Sequence, residues 1–117
     1  MSTSKEFIEN DEQKVKAGAL SLNINHETLT SETEETIGGV IPDLQGTEDE
    51  YYIQIQSDSG SYNGQKIKLK NGKFFDTVSV ETNKTNHYWI YLFDNNGNSV
   101  TIDPDSFSIT HGLSVSG

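Results

Sequence analysis

The sequence has no cysteine and no arginine, and only one tryptophan, one methionine and two prolines in 117 residues. Without cysteine there is no disulfide framework, no thiolate metal site and no cysteine nucleophile. Without arginine the bidentate reader of phosphate and guanine is missing. All eight basic residues are lysine, and nucleic acid is not an expected partner. No apolar run approaches the roughly 20 residues of a membrane-spanning helix, so no membrane partner is expected. The amino-terminal "MSTSKEFIEN" lacks the apolar core of a signal peptide, which makes the cytoplasm the expected compartment. Hydrophobic residues are also scarce, at 32%. One domain with a modest core is therefore expected, with part of the chain loosely ordered or docked elsewhere.

What the chain does have in quantity is acid. The net charge is -10, with twelve of eighteen acidic residues in positions 1–50 and a nearly neutral remainder. Such an acidic half keeps a segment soluble more readily than it recruits a basic partner. Within it, residues 5–20 have sparse apolar positions (Phe7, Ile8, Val15, Leu20) compatible with a short helix, while 19–25 alternate as a strand would. Residues 26–36 read as a polar, Thr-rich linker, and Gly38, Gly39, Pro42 and Gly46 as turns around a short extended piece.

From Tyr51 the pattern becomes a series of short strands separated by turn residues. "YYIQIQS" (51–57) puts Tyr51, Ile53 and Ile55 on one face and Tyr52, Gln54 and Gln56 on the other. "QKIKLK" (65–70) points Ile67 and Leu69 inward and three lysines outward. Asn71-Gly72 then gives the strongest short hairpin signal, because a type I′ turn needs positive φ at both central residues. "KFFDTVSV" (73–80) places Phe74, Val78 and Val80 together. "HYWIYLF" (87–93) follows, then an Asn/Gly turn, and two short strands separated by Pro104. Five or six strands at this spacing, with no helices between them, predict an all-β antiparallel sandwich over 50–112. The expected organisation is an acidic, partly ordered arm (1–49), the sandwich (50–112) and a tail (113–117).

Chemistry is sparse. There is no Gly-x-Ser-x-Gly elbow, and His26, His87 and His111 have neither triad support nor ligand spacing, so no enzyme activity is expected. Gly38-Gly39 alone is no phosphate cradle, and no cofactor is expected. Asp94, Asn96 and Asn98 have the 1-3-5 spacing of a calcium loop, with Asp105 twelfth, but Gly97 stands fourth where such loops need glycine sixth. Turn formation alone accounts for these residues. Asp103 and Asp105 flank Pro104 as strand-end polar residues. The sequon Asn83-Lys84-Thr85 matters only in an exported chain.

The most suggestive feature is the stripe His87, Trp89, Tyr91 and Phe93. Even-numbered Tyr88, Ile90 and Leu92 account for the core face, so the odd face carries four aromatic or imidazole side chains that need an explanation. Cover by residues 15–45 is one reading. A platform for a partner or an extended peptide is another, since Trp and Tyr carry most interface energy. Sugar stacking is a third. As a protein-binding site the stripe comprises His87, Trp89, Tyr91 and Phe93.

Residues 71–98, "NGKFFDTVSVETNKTNHYWIYLFDNNGN", resemble the carboxy-terminal half of bacterial immunoglobulin-like modules. Gly72, Phe74, Val78, Val80, Asn86, Tyr88, Ile90, Leu92, Asp94, Gly97 and Asn98 take the places of that pattern. "DSFSITHGLSVSG" (105–117) resembles a segment of divergent bacterial DnaK-like (Hsp70-family) proteins just before their substrate-binding region. "NDEQKVKAGAL" (10–20) is similar to the stretch closing their nucleotide-binding domain, and "EETIGGV" (34–40) to a segment of their peptide-binding sandwich. These last two place the chain differently within the family. Together the resemblances imply an immunoglobulin-like sandwich that serves a larger DnaK-like chaperone protein as a non-catalytic interaction or spacer module. Its implied partners are polypeptide clients or other domains of the same protein. The competing implication is an exported adhesion or carbohydrate-binding accessory module.

Overall fold

The computed structural model describes residues 16–112. Ten strands are hydrogen-bonded into one nearly closed, mixed sheet that folds over as a sandwich-like, all-β body. In chain order they are β1 (Lys16–Ala19), β2 (Ser21–Leu22), β3 (Glu27–Thr30), β4 (Glu34–Val40), β5 (Glu48–Ser57), β6 (Ile67–Lys70), β7 (Lys73–Ser79), β8 (Thr85–Asp94), β9 (Ser99–Asp103) and β10 (Ser106–His111). A short 3-10 turn at Pro42–Leu44 joins β4 to β5. Along the sheet the order is β1-β9-β8-β5-β6-β7-β4-β2, with β10 beside β8 and β3 beside β10.

β8 is the central strand. One edge pairs antiparallel with β5 from Tyr51↔Asp94 to Ser57↔Tyr88. The other edge is shared, with β10 opposite Thr85–Trp89 and β9 opposite Leu92 and Phe93. The split falls at Pro104, whose peptide bond with Asp103 is cis. Proline has no N–H for a ladder, so the strand ends and restarts in a new register. Along β8, Asn86, Tyr88, Ile90 and Leu92 are buried and the odd positions face out. The inward set joins Ile53, Ile55, Leu69, Phe74, Val78, Val80, Phe107 and Ile109 in one core. Each fully buried aliphatic side chain there contributes about 2 kcal/mol of transfer free energy.

The hairpin at Asn71-Gly72 forms as the sequence predicts, with φ of 56° and 76°. Gly72 is also required by proximity, because a Cβ there would stand 2.6 Å from the Ile41 carbonyl oxygen. That oxygen's residue is held by the tip in turn: Ile41 N–H donates to the Gly72 carbonyl at 2.8 Å, and Gly46 N–H donates to Asn71 Oδ1 at 2.6 Å.

Residues 16–49 differ most from the arm and linker expected of them. Of the helical possibility over 5–20, residues 5–15 lie outside the described residues, as does the tail 113–117; 16–19 is strand β1. β1 and β3 run parallel to β9 and β10, so the sheet is mixed where an antiparallel one was expected. β4 pairs with β7 over seven residues. Ile37, Ile41 and Leu44 enter the core, as do Ala17 and Leu20. The Gly38-Gly39 pair is strand, not turn: Gly39 lies opposite Phe74 and Gly38 opposite Phe75. A Cβ on Gly39 would meet the Phe74 ring at 2.3 Å. Two bulky rings thus lie across two bare backbone positions, an arrangement that glycine's turn propensity conceals in the sequence.

One buried carboxamide closes the loop between β7 and β8. Asn86 accepts the Glu81 N–H at Oδ1 (2.9 Å), and its Nδ2 donates to the carbonyls of Glu81, Lys84 and Ile109 at 3.1, 3.3 and 3.2 Å. Beside it the Tyr88 hydroxyl donates to the Ser79 carbonyl at 2.6 Å while the ring stacks on Phe107, centroids 4.9 Å apart. Replacing Asn86 with alanine strands buried backbone groups. We expect a loss of about 3 kcal/mol in unfolding free energy, read as a lower urea midpoint with unchanged m-value. Asn86→Asp should cost at least as much, because an oxygen would then face carbonyls that Nδ2 now serves.

Candidate functional site

The outward face of β8 is built by alternation alone. His87, Trp89 and Tyr91 are exposed, and Phe93 is half-buried. Trp89 retains 41% of its surface and Tyr91 38%. Residues 16–49 do not cover them, because those residues extend the sheet at its edges and fill the core behind it. Of the three readings of the stripe, cover by the chain's own described residues therefore drops out. The four side chains do share one face.

Pairing adds neighbours that the sequence alone did not join to the stripe. Across β5, Tyr52 is opposite Phe93, Gln54 opposite Tyr91 and Gln56 opposite Trp89. Across β10, Ser106 is opposite Trp89 and Ser108 opposite His87. Alternation in 51–57 already put Tyr52, Gln54 and Gln56 on one face; which strand they would join was not legible. The amides are tied down: Gln54 Nε2 donates to the Gly64 carbonyl at 2.9 Å, and Gln56 Nε2 to Asn63 Oδ1 at 2.8 Å. At one end of the face Lys66 Nζ stands 4.9 Å from the centroid of the Phe93 ring, and Lys68 Nζ 5.8 Å from that of Tyr52. Both distances are within cation–π reach.

At the other end, the break between β9 and β10 leaves a cleft of about 660 Å³ beside Trp89. Its wall includes His26, Glu27, Asp58, Asp103 and Asp105. The sequence had read the last two only as polar strand ends. Sequence distance hid the rest, since the acids come from β3, the end of β5, and the β9–β10 junction.

The calcium candidate is a self-contained turn. Asp94 Oδ1 accepts the N–H groups of Asn96 and Asn98, both at 2.9 Å, and Oδ2 accepts Asn98 Nδ2 at 3.2 Å. The Asx geometry turns donors, not oxygens, toward the carboxylate. Among the described residues no three His, Asp or Glu side chains are placed to hold a metal ion. His111 is buried, with Nδ1 accepting the Asn83 N–H at 2.9 Å. His26 and His87 both line the cleft.

A second polar feature lies behind the face. Asp76 points inward from β7 and accepts the Tyr62 hydroxyl at 2.8 Å on both oxygens. Desolvation holds its carboxyl above the usual value, opposed by the hydrogen bonds from Tyr62 and the Thr77 backbone. Burial, then the Asp76 carboxylate, raises the Tyr62 phenol. Burial also pushes the Tyr88 phenol up to about 12, with a further contribution from Glu81. At the surface, Lys84 first and then the serines of the neighbouring loop hold Glu81 below its ordinary value.

No protein-family model matches the sequence, and no curated protein matches it either. Among the described residues no helix is long and apolar enough to cross a membrane.

The raised Asp76 carboxyl fixes the sign of a pH effect. The folded state binds this proton more tightly than the unfolded state does. The corresponding stability is therefore full below the unfolded value of about 3.9 and is lost as pH rises through the folded value. Asp76→Asn lacks this titration. Urea melts from pH 3 to 7 should show the stability difference moving in the variant's favour with rising pH; a constant difference would contradict the assignment.

Proposed function

We propose that this protein is a non-catalytic binding module whose outer β8 face docks polypeptide, either an extended client segment or the surface of a neighbouring domain. The observation that carries this reading is the exposure of Trp89 and Tyr91, at 41% and 38%, in the middle of a strand paired on both edges. Tyrosine and tryptophan bury large area at low entropic cost, and they dominate the energetics of protein interfaces. A flat row flanked by Ser106, Ser108, Gln54 and Gln56 suits an extended chain laid across the strands. Polypeptide is favoured over sugar because an exposed Trp and Tyr pair is the usual make-up of a protein interface.

Sequence resemblance supports the same class of partner. Residues 71–98 resemble immunoglobulin-like modules, a likeness that bears on the fold more than on the partner. The resemblance of 105–117 to DnaK-like chaperones implies a setting in which unfolded polypeptide is the cargo. The module would then position clients, or hold a neighbouring domain, without chemistry of its own.

Titration of labelled protein with a permanently unfolded, carboxymethylated polypeptide should shift the Trp89 indole and the amides of His87–Phe93 and Gln54–Gln56. Trp89→Ala or Tyr91→Ala should weaken binding by about 2 kcal/mol, some thirtyfold in Kd. Shifts confined to other faces, or none at all, would remove the proposal.

A further inference from the structure

The docking face is electrically polarised, and its polarity defines part of the ligand. At the β6 end, Lys66 and Lys68 stand over Phe93 and Tyr52, so those rings already have a cation from the chain itself. At the β10 end, Trp89 is exposed and no lysine stands over it among the described residues. Trp is the strongest of the aromatic faces for a cation. The cleft beside it is lined by four carboxylates, Glu27, Asp58, Asp103 and Asp105, and by no lysine. Among the described residues the ion pairs are Lys70–Asp49 and Lys84–Glu81, and neither involves this group.

We propose that the cleft beside Trp89 receives a cationic side chain, lysine or arginine, of the polypeptide docked on the β8 face. The inference rests on the docking reading of that face and names what its acidic end selects. Four carboxylates drawn from separate segments of the chain line one cleft, and a cation from a partner complements them. A metal ion is not the expected occupant, since among the described residues no three acidic or imidazole groups are placed to ligate one. A long side chain with a diffuse or terminal charge can lie against the indole while its head reaches the surrounding carboxylates. Across the same face, the Lys66–Lys68 end favours an acidic or neutral segment. A bound chain therefore has a preferred direction, with its basic residue at Trp89.

Trp89 is the chain's only tryptophan, so its fluorescence reports on the cleft directly. The probes are three capped peptides, Ser-Leu-X-Leu-Ser, with X as lysine, its uncharged isostere norleucine, or glutamate. The lysine peptide should perturb Trp89 at roughly tenfold lower concentration than the norleucine peptide, with glutamate weakest, the difference expected of a cation–π contact reinforced by carboxylates. Asp103→Asn with Asp105→Asn should abolish that preference. Glu32→Gln with Glu34→Gln removes the same charge from the turn after β3 and the start of β4, outside the cleft lining, and should leave the preference intact. Glu27→Gln with Asp58→Asn is an independent second removal that spares the Pro104 turn. Equal binding of the lysine and norleucine peptides would overturn the cation proposal and leave the docking face standing. A lysine preference that survives both cleft variants, or is lost equally in the Glu32/Glu34 variant, would overturn it as bulk charge attraction. If none of the three peptides perturbs Trp89, the docking reading falls and the cation proposal falls with it.

Discussion

The strict two-residue alternation of β8 is the constraint on which the rest of the molecule depends. A slip of one residue against β5 would carry Tyr88, Ile90 and Leu92 into water and drive Trp89, Tyr91 and Phe93 into the core. Asn86 opposes such a slip at the strand's start. Its carboxamide fits one set of backbone groups, those of Glu81, Lys84 and Ile109. Tyr88 opposes it one step further on, since its hydroxyl reaches the Ser79 carbonyl only in this register. Exposure of the odd-numbered aromatics therefore follows from burying the even-numbered residues. The core sets the register, and the register presents the face.

Charge is distributed to match. Lys66, just before β6, and Lys68 within it lie across rings at one end of that face, while acids from three distant segments converge at the other. The break at Pro104 makes room for that convergence, because β9 and β10 together cannot continue an unbroken ladder along β8. Polar groups that point inward are handled differently. Asp76 is met by the Tyr62 hydroxyl, Asn86 by backbone, and His111 by the Asn83 N–H, so each has a partner. The Asp76 carboxyl still loses solvation, and the pH sign of its contribution follows from that loss.

Much of residues 51–111 was legible in the sequence because local rules decide it. Asn71-Gly72 forms its hairpin, and Phe74, Val78 and Val80 share a buried face. Phe107 and Ile109 turn inward after Pro104, as alternation requires. Apart from the strand-like alternation of 19–25, within which β2 lies, residues 16–40 were not legible, for a physical reason. The short strands Lys16–Ala19 and Glu27–Thr30 take their conformation from β9 and β10, far along the chain, and the polar, Thr-rich composition of 26–36 resembles a linker. Gly38 and Gly39 misdirect for a related reason, since what makes them strand is the pair of Phe rings on β7. The aromatic stripe was visible in the sequence, whereas the acidic cleft needed the fold to bring Glu27, Asp58 and Asp103 together.

The central claim is that the Trp89 face is open in the free protein and available to a polypeptide. Acrylamide quenching of the single tryptophan in the intact chain tests it most directly. An open face predicts long-wavelength emission and efficient quenching in native buffer, approaching the value for the urea-unfolded chain, with quenching reduced when an unfolded polypeptide is added. Short-wavelength emission that resists acrylamide in the free protein would show the face already covered and would contradict the account.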